Sequence, residues 1–264
     1  MNAARTLWRV LRPLLVSAVV GLGLWLAVAD LFGFSPYVVK TPADVWRYLT
    51  WGPDAAENRR SVIQPLLATL GDGAYGFCFG MAAAVLAALL FVAVPPVQRT
   101  FMPLVMLLRS VPLVTMTPLI VLAFGRGVGG VAVIGGIVVF FPALVTVTHG
   151  LRSASPQARD LVLVYGGTPR SVLTKVALPS AVPHLFAAAR LSVPGALVGA
   201  LVAEWLATGR GLGGAILTDI GAFGYAHLWA SIALLTAVSV VLYTALGAVE
   251  TAVLARSGAG SGRA

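Results

Sequence analysis

Apolar residues in this chain fall in long runs separated by short polar segments. Six runs, near 14–33, 66–94, 101–124, 128–150, 184–206 and 227–250, each approach or exceed the ~20 residues a helix needs to cross a bilayer. The expected fold is an all-α membrane protein of about six transmembrane helices. It forms a single transmembrane domain over 1–264, with its core at 66–250. The first run has two readings, because Arg5, Arg9 and Arg12 precede it and Ala27-Val28-Ala29 lies near its end, as in a cleaved signal peptide. The run continues through Leu31, Phe32 and Phe34, longer than a signal core needs, which favours an uncleaved anchor.

The polar segments between the runs predict smaller elements. In 35–62, Thr41 is a candidate N-cap with Pro42 at the first helical position, and Val45, Trp46 and Leu49 form one face. Trp46 and Trp51 suit a headgroup belt, so this helix reads as an interfacial anchor. The segment 151–183 predicts two short helices and a bend. Ser155-Pro156 starts the first, which runs through Tyr165 to Gly166, the residue that most easily takes a left-handed stop. Thr168-Pro169 starts the second, which runs through Arg170, Val172, Leu173 and Val176, and Leu178-Pro179 is expected to end it. By its residues alone the segment is either a knob for a partner to grip or a loop on the membrane surface.

Composition closes off the soluble classes. Charged residues are 10% of the chain against about 25% in soluble domains, 59% of residues are apolar, and mean hydropathy is +0.94. The 29 Gly and 16 Pro suit packed membrane helices. A net charge of +9 does not point to nucleic acid, because the cations are scattered singly between apolar spans. They instead set orientation. With the N-terminus cytoplasmic, the inner segments hold ten cations: Arg5, Arg9, Arg12, Arg99, Arg152, Arg159, Arg170, Lys175, Arg256 and Arg263. The outer segments hold six: Lys40, Arg47, Arg59, Arg60, Arg126 and Arg210. Both termini are expected inside, which places 151–183 in the cytoplasm. The single Cys78 supports neither a disulfide framework nor a cysteine metal site.

The 151–183 segment resembles the cytoplasmic signature of binding-protein-dependent ABC transporter permeases. That signature is an acidic residue and two small ones, three positions, Gly, nine positions, then apolar-x-Leu-Pro. Here it reads Asp160-Leu161-Val162, Gly166 and Val176-Ala177-Leu178-Pro179. Asp stands for Glu, and Leu161 and Val162 replace two alanines. Arg109-Ser110-Val111-Pro112, Pro118-Leu119, Phe124-Gly125, Phe141-Pro142, Gly150-Leu151 and Glu204-Trp205 with Gly211-Leu212-Gly213 resemble the nitrate, sulfonate and taurine branch. The resemblance covers roughly residues 36–250. It implies a type I importer permease fold, a second copy of the chain, two ABC ATPase subunits and an extracytoplasmic solute-binding protein. It also implies an inner-membrane location and import of a small polar or anionic solute. ATPase coupling would fall to Asp160, Gly166, Gly167, Thr168, Pro169, Leu178 and Pro179.

The chain is not expected to be an enzyme. A phosphate-binding loop needs Gly-x4-Gly-Lys-Ser/Thr, and neither Lys40 nor Lys175 sits in one, so ATP and Mg are expected on partner subunits. Gly125-x-Gly127-x-x-Gly130 and Gly209-x-Gly211-x-x-Gly214 match a dinucleotide pattern but adjoin apolar spans, and read as tight turns. Gly76-x-x-x-Gly80 and Gly195-x-x-x-Gly199 read as close helix contacts within the bundle. His149, His184 and His227 lack a metal-ligand spacing. Arg109, Glu204 and Asp72, ionisable within spans, should face protein or water. Pro103, Pro112 and Pro118 disturb the third run, which is tolerated only where protein or a cavity covers it. Arg109, Thr115, Thr117 and Glu204 are therefore the candidate pathway residues, with an interfacial or paired Arg109 as the other reading. A self-sufficient secondary transporter or channel is the alternative function. The first would show two related halves and the second a polar filter or charged ring, and neither is evident here.

Overall fold

A computed structural model describes residues 16, 17, 19–27, 31, 33 and 35–256. The described chain is helical throughout its regular elements: α1 (Pro42–Thr50), α2 (Ala55–Ala93), α3 (Pro95–Arg109), α4 (Leu113–Phe124), α5 (Val128–Arg152), α6 (Pro156–Val164), α7 (Pro169–Val172), α8 (Leu178–Ala203), α9 (Gly211–Gly221) and α10 (Tyr225–Arg256). One-turn π-helical segments at Leu173–Ala177 and Glu204–Thr208 adjoin α8 on either side. Four helices, Ala55–Ala93, Val128–Arg152, the continuous Pro169–Thr208 and Tyr225–Ala255, are long and apolar enough to cross a membrane. The expected first span, 14–33, lies partly outside the described residues, and its described stretch 19–27 is helical.

The chain divides into two compact units, 65–215 with 235 onward, and the residues before 65 with 216–234. In the smaller unit, Thr41 and Asp44 form a reciprocal capping box on α1, with Asp44 N donating to Thr41 Oγ1 at 3.2 Å and Thr41 N donating to Asp44 Oδ2 at 3.0 Å. Hydrogen bonds from the Thr41 hydroxyl and N–H hold the Asp44 carboxyl below its ordinary pKa. Val45 is buried with Val62 and Ala230, and Leu49 packs beside them. Trp46 turns outward, so the expected Val45–Trp46–Leu49 face holds only in part.

In the larger unit the core is built on α5 and α8, which make its most extensive helix contact. Small residues permit that approach. A Cβ on Gly76 of α2 would lie 2.8 Å from Gly135 Cα in α5, and one on Gly199 of α8 would lie 2.7 Å from the same atom. Gly80 is tighter still, its Cβ position being 2.4 Å from the Gly136 carbonyl oxygen. The two small-xxx-small patterns are thus contacts within the chain. Alanines continue the seam, with Ala84, Ala88, Ala143, Ala181 and Ala188 all in one buried cluster.

Two expectations fail here. The third run is not one straight span: α3 and α4 meet at a 106° bend across Ser110–Pro112. Pro112 has no N–H and is itself extended, with φ −60° and ψ 125°, so the helix stops before it. Leu178-Pro179 does not end the second hook helix, which continues into α8 through the first π-turn, where Leu178 N donates to the Leu173 carbonyl. A proline ring collides with the carbonyl four residues back, and the wider turn relieves that clash.

Gly80→Val should lower the thermal unfolding midpoint of the detergent-solubilised chain, by the equivalent of about 1–3 kcal/mol for overpacking. Gly71→Ala, whose new Cβ meets nothing within 4 Å, should leave the midpoint unchanged or raise it.

Candidate functional site

The hook begins at α6, where Pro156 occupies the first turn and the Ser155 hydroxyl accepts from Ala158 N at 3.1 Å. It stops in a complete Schellman motif: Gly166 N donates to Leu163 O at 3.0 Å and Gly167 N to Val162 O at 2.8 Å. Gly166 has φ +81°, which only glycine adopts without strain. Gly167 has a different reason to be small, since a Cβ there would lie 2.5 Å from Val162. The Thr168 hydroxyl then caps α7 by accepting from Ser171 N at 3.3 Å, with Pro169 in the first turn. Val172 and Ala177 are buried, and Ala177 belongs to the α2–α5–α8 cluster, so the hook is anchored to the bundle. It exposes large apolar side chains among its charged ones. Leu161 and Leu163 are exposed, and Val164 and Tyr165 are each 84% exposed. Asp160, Gly166, Thr168, Pro169, Leu178 and Pro179 all lie at exposed positions, with Gly167 partly covered.

A second constellation lies at the other end of α8. Glu204 is 0% exposed, and its Oε2 accepts from Thr69 Oγ1 at 2.9 Å and from Gly213 N at 2.8 Å. The Thr69 hydroxyl in turn accepts from Leu212 N at 2.8 Å. One carboxylate therefore joins α2, the second π-turn and the first turn of α9, whose free amides attract negative charge. Gly211 has φ +68°, and a Cβ there would lie 2.1 Å from Glu204 Oε1. The Glu204-Trp205 and Gly211-Leu212-Gly213 pairing is thus a single clasp.

The family described as "Binding-protein-dependent transport system inner membrane component" matches residues 76–256. The chain belongs to this family. A protein of Haemophilus influenzae named "Probable ABC transporter permease protein" is 28% identical over 235 residues, 89% of this chain and 93% of that protein. The formylaminopyrimidine transport permease ThiX of Halalkalibacterium halodurans is 28% identical, with 72% of this chain and 74% of that protein covered. The riboflavin transport system permease RibX of Chloroflexus aurantiacus is 26% identical, with 86% and 83% covered. Like them, this chain is an ABC transporter permease, a multi-pass inner-membrane component of a transport system.

Within the permease, the other sequence-predicted residues scatter. Arg109 closes α3 and is exposed. Thr115 is exposed on α4, with its hydroxyl donating to Pro112 O at 2.7 Å. Thr117 and Glu204 instead lie wholly inside the chain, Thr117 donating to Leu113 O at 3.0 Å. His149 and His184, distant in sequence, have ring centroids 5.6 Å apart. Sequence reasoning missed Thr69, which has no pattern around it and could be singled out only as a polar residue in an apolar run. It also left out Arg190, which pairs with Glu250 at 2.9 Å and reaches the Tyr243 hydroxyl at 3.1 Å, joining α8 to α10.

Thr69→Val removes the donor to Glu204 and the acceptor for Leu212 N. It should destabilise the permease by about 1–3 kcal/mol, read as a lower unfolding midpoint in detergent, while Thr69→Ser should restore most of the loss.

Proposed function

We propose that this permease is the transmembrane subunit of an ATP-driven importer, coupled to cytoplasmic ATPase subunits through the 151–183 hook. The observation behind this reading is the exposed apolar crest of Leu161, Val164 and Tyr165 on a helix capped at both ends, in a hook whose later residues Val172 and Ala177 root it in the bundle. A surface loop has no need of such stiffness, whereas an element that transmits force between chains does. Closure of an ATPase pair on ATP would displace the hook, and its buried root at Val172 and Ala177 would pass the displacement to α8. Asp160, Gly166, Gly167, Thr168, Pro169, Leu178 and Pro179 shape the contact. ATP and Mg bind on the partner chains. In this reading both termini are cytoplasmic, two copies of the chain form the path, and an extracytoplasmic binding protein delivers the solute.

The solute is small and polar or anionic. Nitrate-, sulfonate- or taurine-like compounds fit the branch resemblance, and relatives named for formylaminopyrimidine and riboflavin extend the class to polar heteroaromatic compounds. The bent α3–α4 pair is the pathway element, for three reasons. No residue of α3 is buried within one chain, its bend exposes backbone that lipid would not tolerate, and Arg109 and Thr115 stay exposed. Thr117 and Glu204 support the path from inside the bundle.

Two measurements test these proposals. The tagged wild type, purified from its native membrane, should bring down a P-loop ATPase. Gly166→Asp and the surface variant Tyr165→Ala should each lose most of it while eluting as wild type does. Recovery of the ATPase at wild-type level with both variants would rule out the hook as the contact. Solute uptake by membranes holding the complete transporter should fall several-fold with Thr115→Leu, and normal uptake would remove Thr115 from the path.

A further inference from the structure

Between the hook and the bundle lies a cavity of about 1180 Å³ that the coupling reading leaves unexplained. Its position is set by helix ends: it is lined by Ala93 where α2 stops, Arg152 where α5 stops and Pro169 where the long α7–α8 rod starts. Two membrane spans, α2 and α5, end there, so the cavity sits where their hydrocarbon-crossing stretches give way to headgroups. Its wall is divided chemically. Leu151, Leu163 and Leu173 supply apolar surface, and Arg152, Arg159 and Arg170 supply cations from three different elements.

Among the described residues those cations lack counter-ions. The ion pairs among the described residues are Arg47–Asp44, Arg190–Glu250 and His227–Asp219, and none includes a cavity arginine. Asp160 adjoins Arg159 in the chain but makes no ion pair with it within 4.0 Å. Arg152 is held by the Gln98 side-chain oxygen, a neutral partner that orients the guanidinium without cancelling its charge. Three arginines along one cavity wall favour an anion, and their planar forks match phosphate oxygens. The volume exceeds the ~300–1,000 Å³ of ordinary small-molecule pockets. A second groove, which shares Pro95 and Arg152 with the cavity, continues beside α3 past Met102 and Met106. That groove also carries Gln98 and Arg99 beside Arg152, and Met102, Pro103 and Met106 supply its apolar wall.

We propose that this cavity binds the phosphate headgroup of an anionic phospholipid, with Arg152, Arg159 and Arg170 on the phosphate and an acyl chain along the α3 groove. Basic pockets between span ends hold acidic lipid headgroups in this way. A lipid there touches α6, α7 and α5 at once, and so joins the hook to the bundle it must move. Placing the lipid in the cytoplasmic leaflet rests on the coupling reading above. The site itself rests only on the span ends and the arginines.

The test uses the full tagged chain, extracted in mild detergent from membranes containing phosphatidylglycerol and phosphatidylethanolamine. Retained lipid per chain is counted by mass spectrometry. The wild type should retain phosphatidylglycerol over phosphatidylethanolamine, and Arg152→Gln/Arg159→Gln/Arg170→Gln should lose at least about tenfold of it. Arg60→Gln/Arg126→Gln, removing two exposed cations elsewhere, should retain it. Arg159→Gln and Arg170→Gln, made singly on exposed positions, should each show a several-fold loss and cover the case in which the triple variant fails to fold. Unchanged retention in these variants, or equal retention of both lipids by the wild type, overturns the proposal. So does release of phosphatidylglycerol to added inorganic phosphate that binds in its place, which would make this a free-anion site. ATPase co-purification, scored in the same samples, separates the two readings: ATPase absent with lipid retained counts against coupling alone, and lipid displaced by the ATPase makes the cavity a protein interface.

Discussion

The close passage of three backbones at Gly135 sets the geometry of the larger unit. Gly76 of α2 and Gly199 of α8 approach it from two sides, at separations that no side chain could occupy. In lipid there is little hydrophobic drive for helices to associate, because hydrocarbon outside is as apolar as the helix faces inside. Close contact and dispersion between small residues take over that role. The alanine cluster that extends from this point to the hook has the same origin. The hook is therefore held by dense packing of small residues rather than by a large aromatic core.

Buried polar groups are few among the described residues, and the main ones are held in shared networks. The Glu204 clasp places one carboxylate where α9 presents free amides, so Gly211, Leu212, Gly213 and Thr69 depend on one another. Arg190, Glu250 and Tyr243 make a comparable junction between α8 and α10. Each would be costly if half removed. The interior thus has two kinds of contact, close apolar seams and polar joints.

Proline shapes the remainder. At Pro112 it ends a helix and turns the chain by 106°, whereas at Pro179 a π-turn absorbs it and the rod continues. The difference lies in what surrounds each one. The residues around Pro179 are rooted in the bundle at Ala177 and Ala181, and packing there outweighs the local disruption. No residue of α3 is buried, and Pro103 still lies within that helix, so the break at Pro112 is local to the Ser110–Pro112 turn.

Much of this permease was legible along the chain. Apolar runs foretold membrane helices, because hydrocarbon thickness sets a length that composition must meet. Ser155-Pro156, Gly166 and Thr168-Pro169 foretold the hook, because caps and left-handed stops are local chemistry acting within a few residues. The paired Gly patterns foretold close helix contact, but not that both would converge on Gly135. Thr69 was invisible as a partner of Glu204, and His149 and His184 appeared remote from one another. Sequence by itself determined which segments are helices and where the capped ones start, since those choices depend on neighbours a turn away. Only the tertiary structure decided which helix a proline breaks, which buried acid meets which hydroxyl and which arginines share a cavity, because those depend on residues brought together from distant parts of the chain.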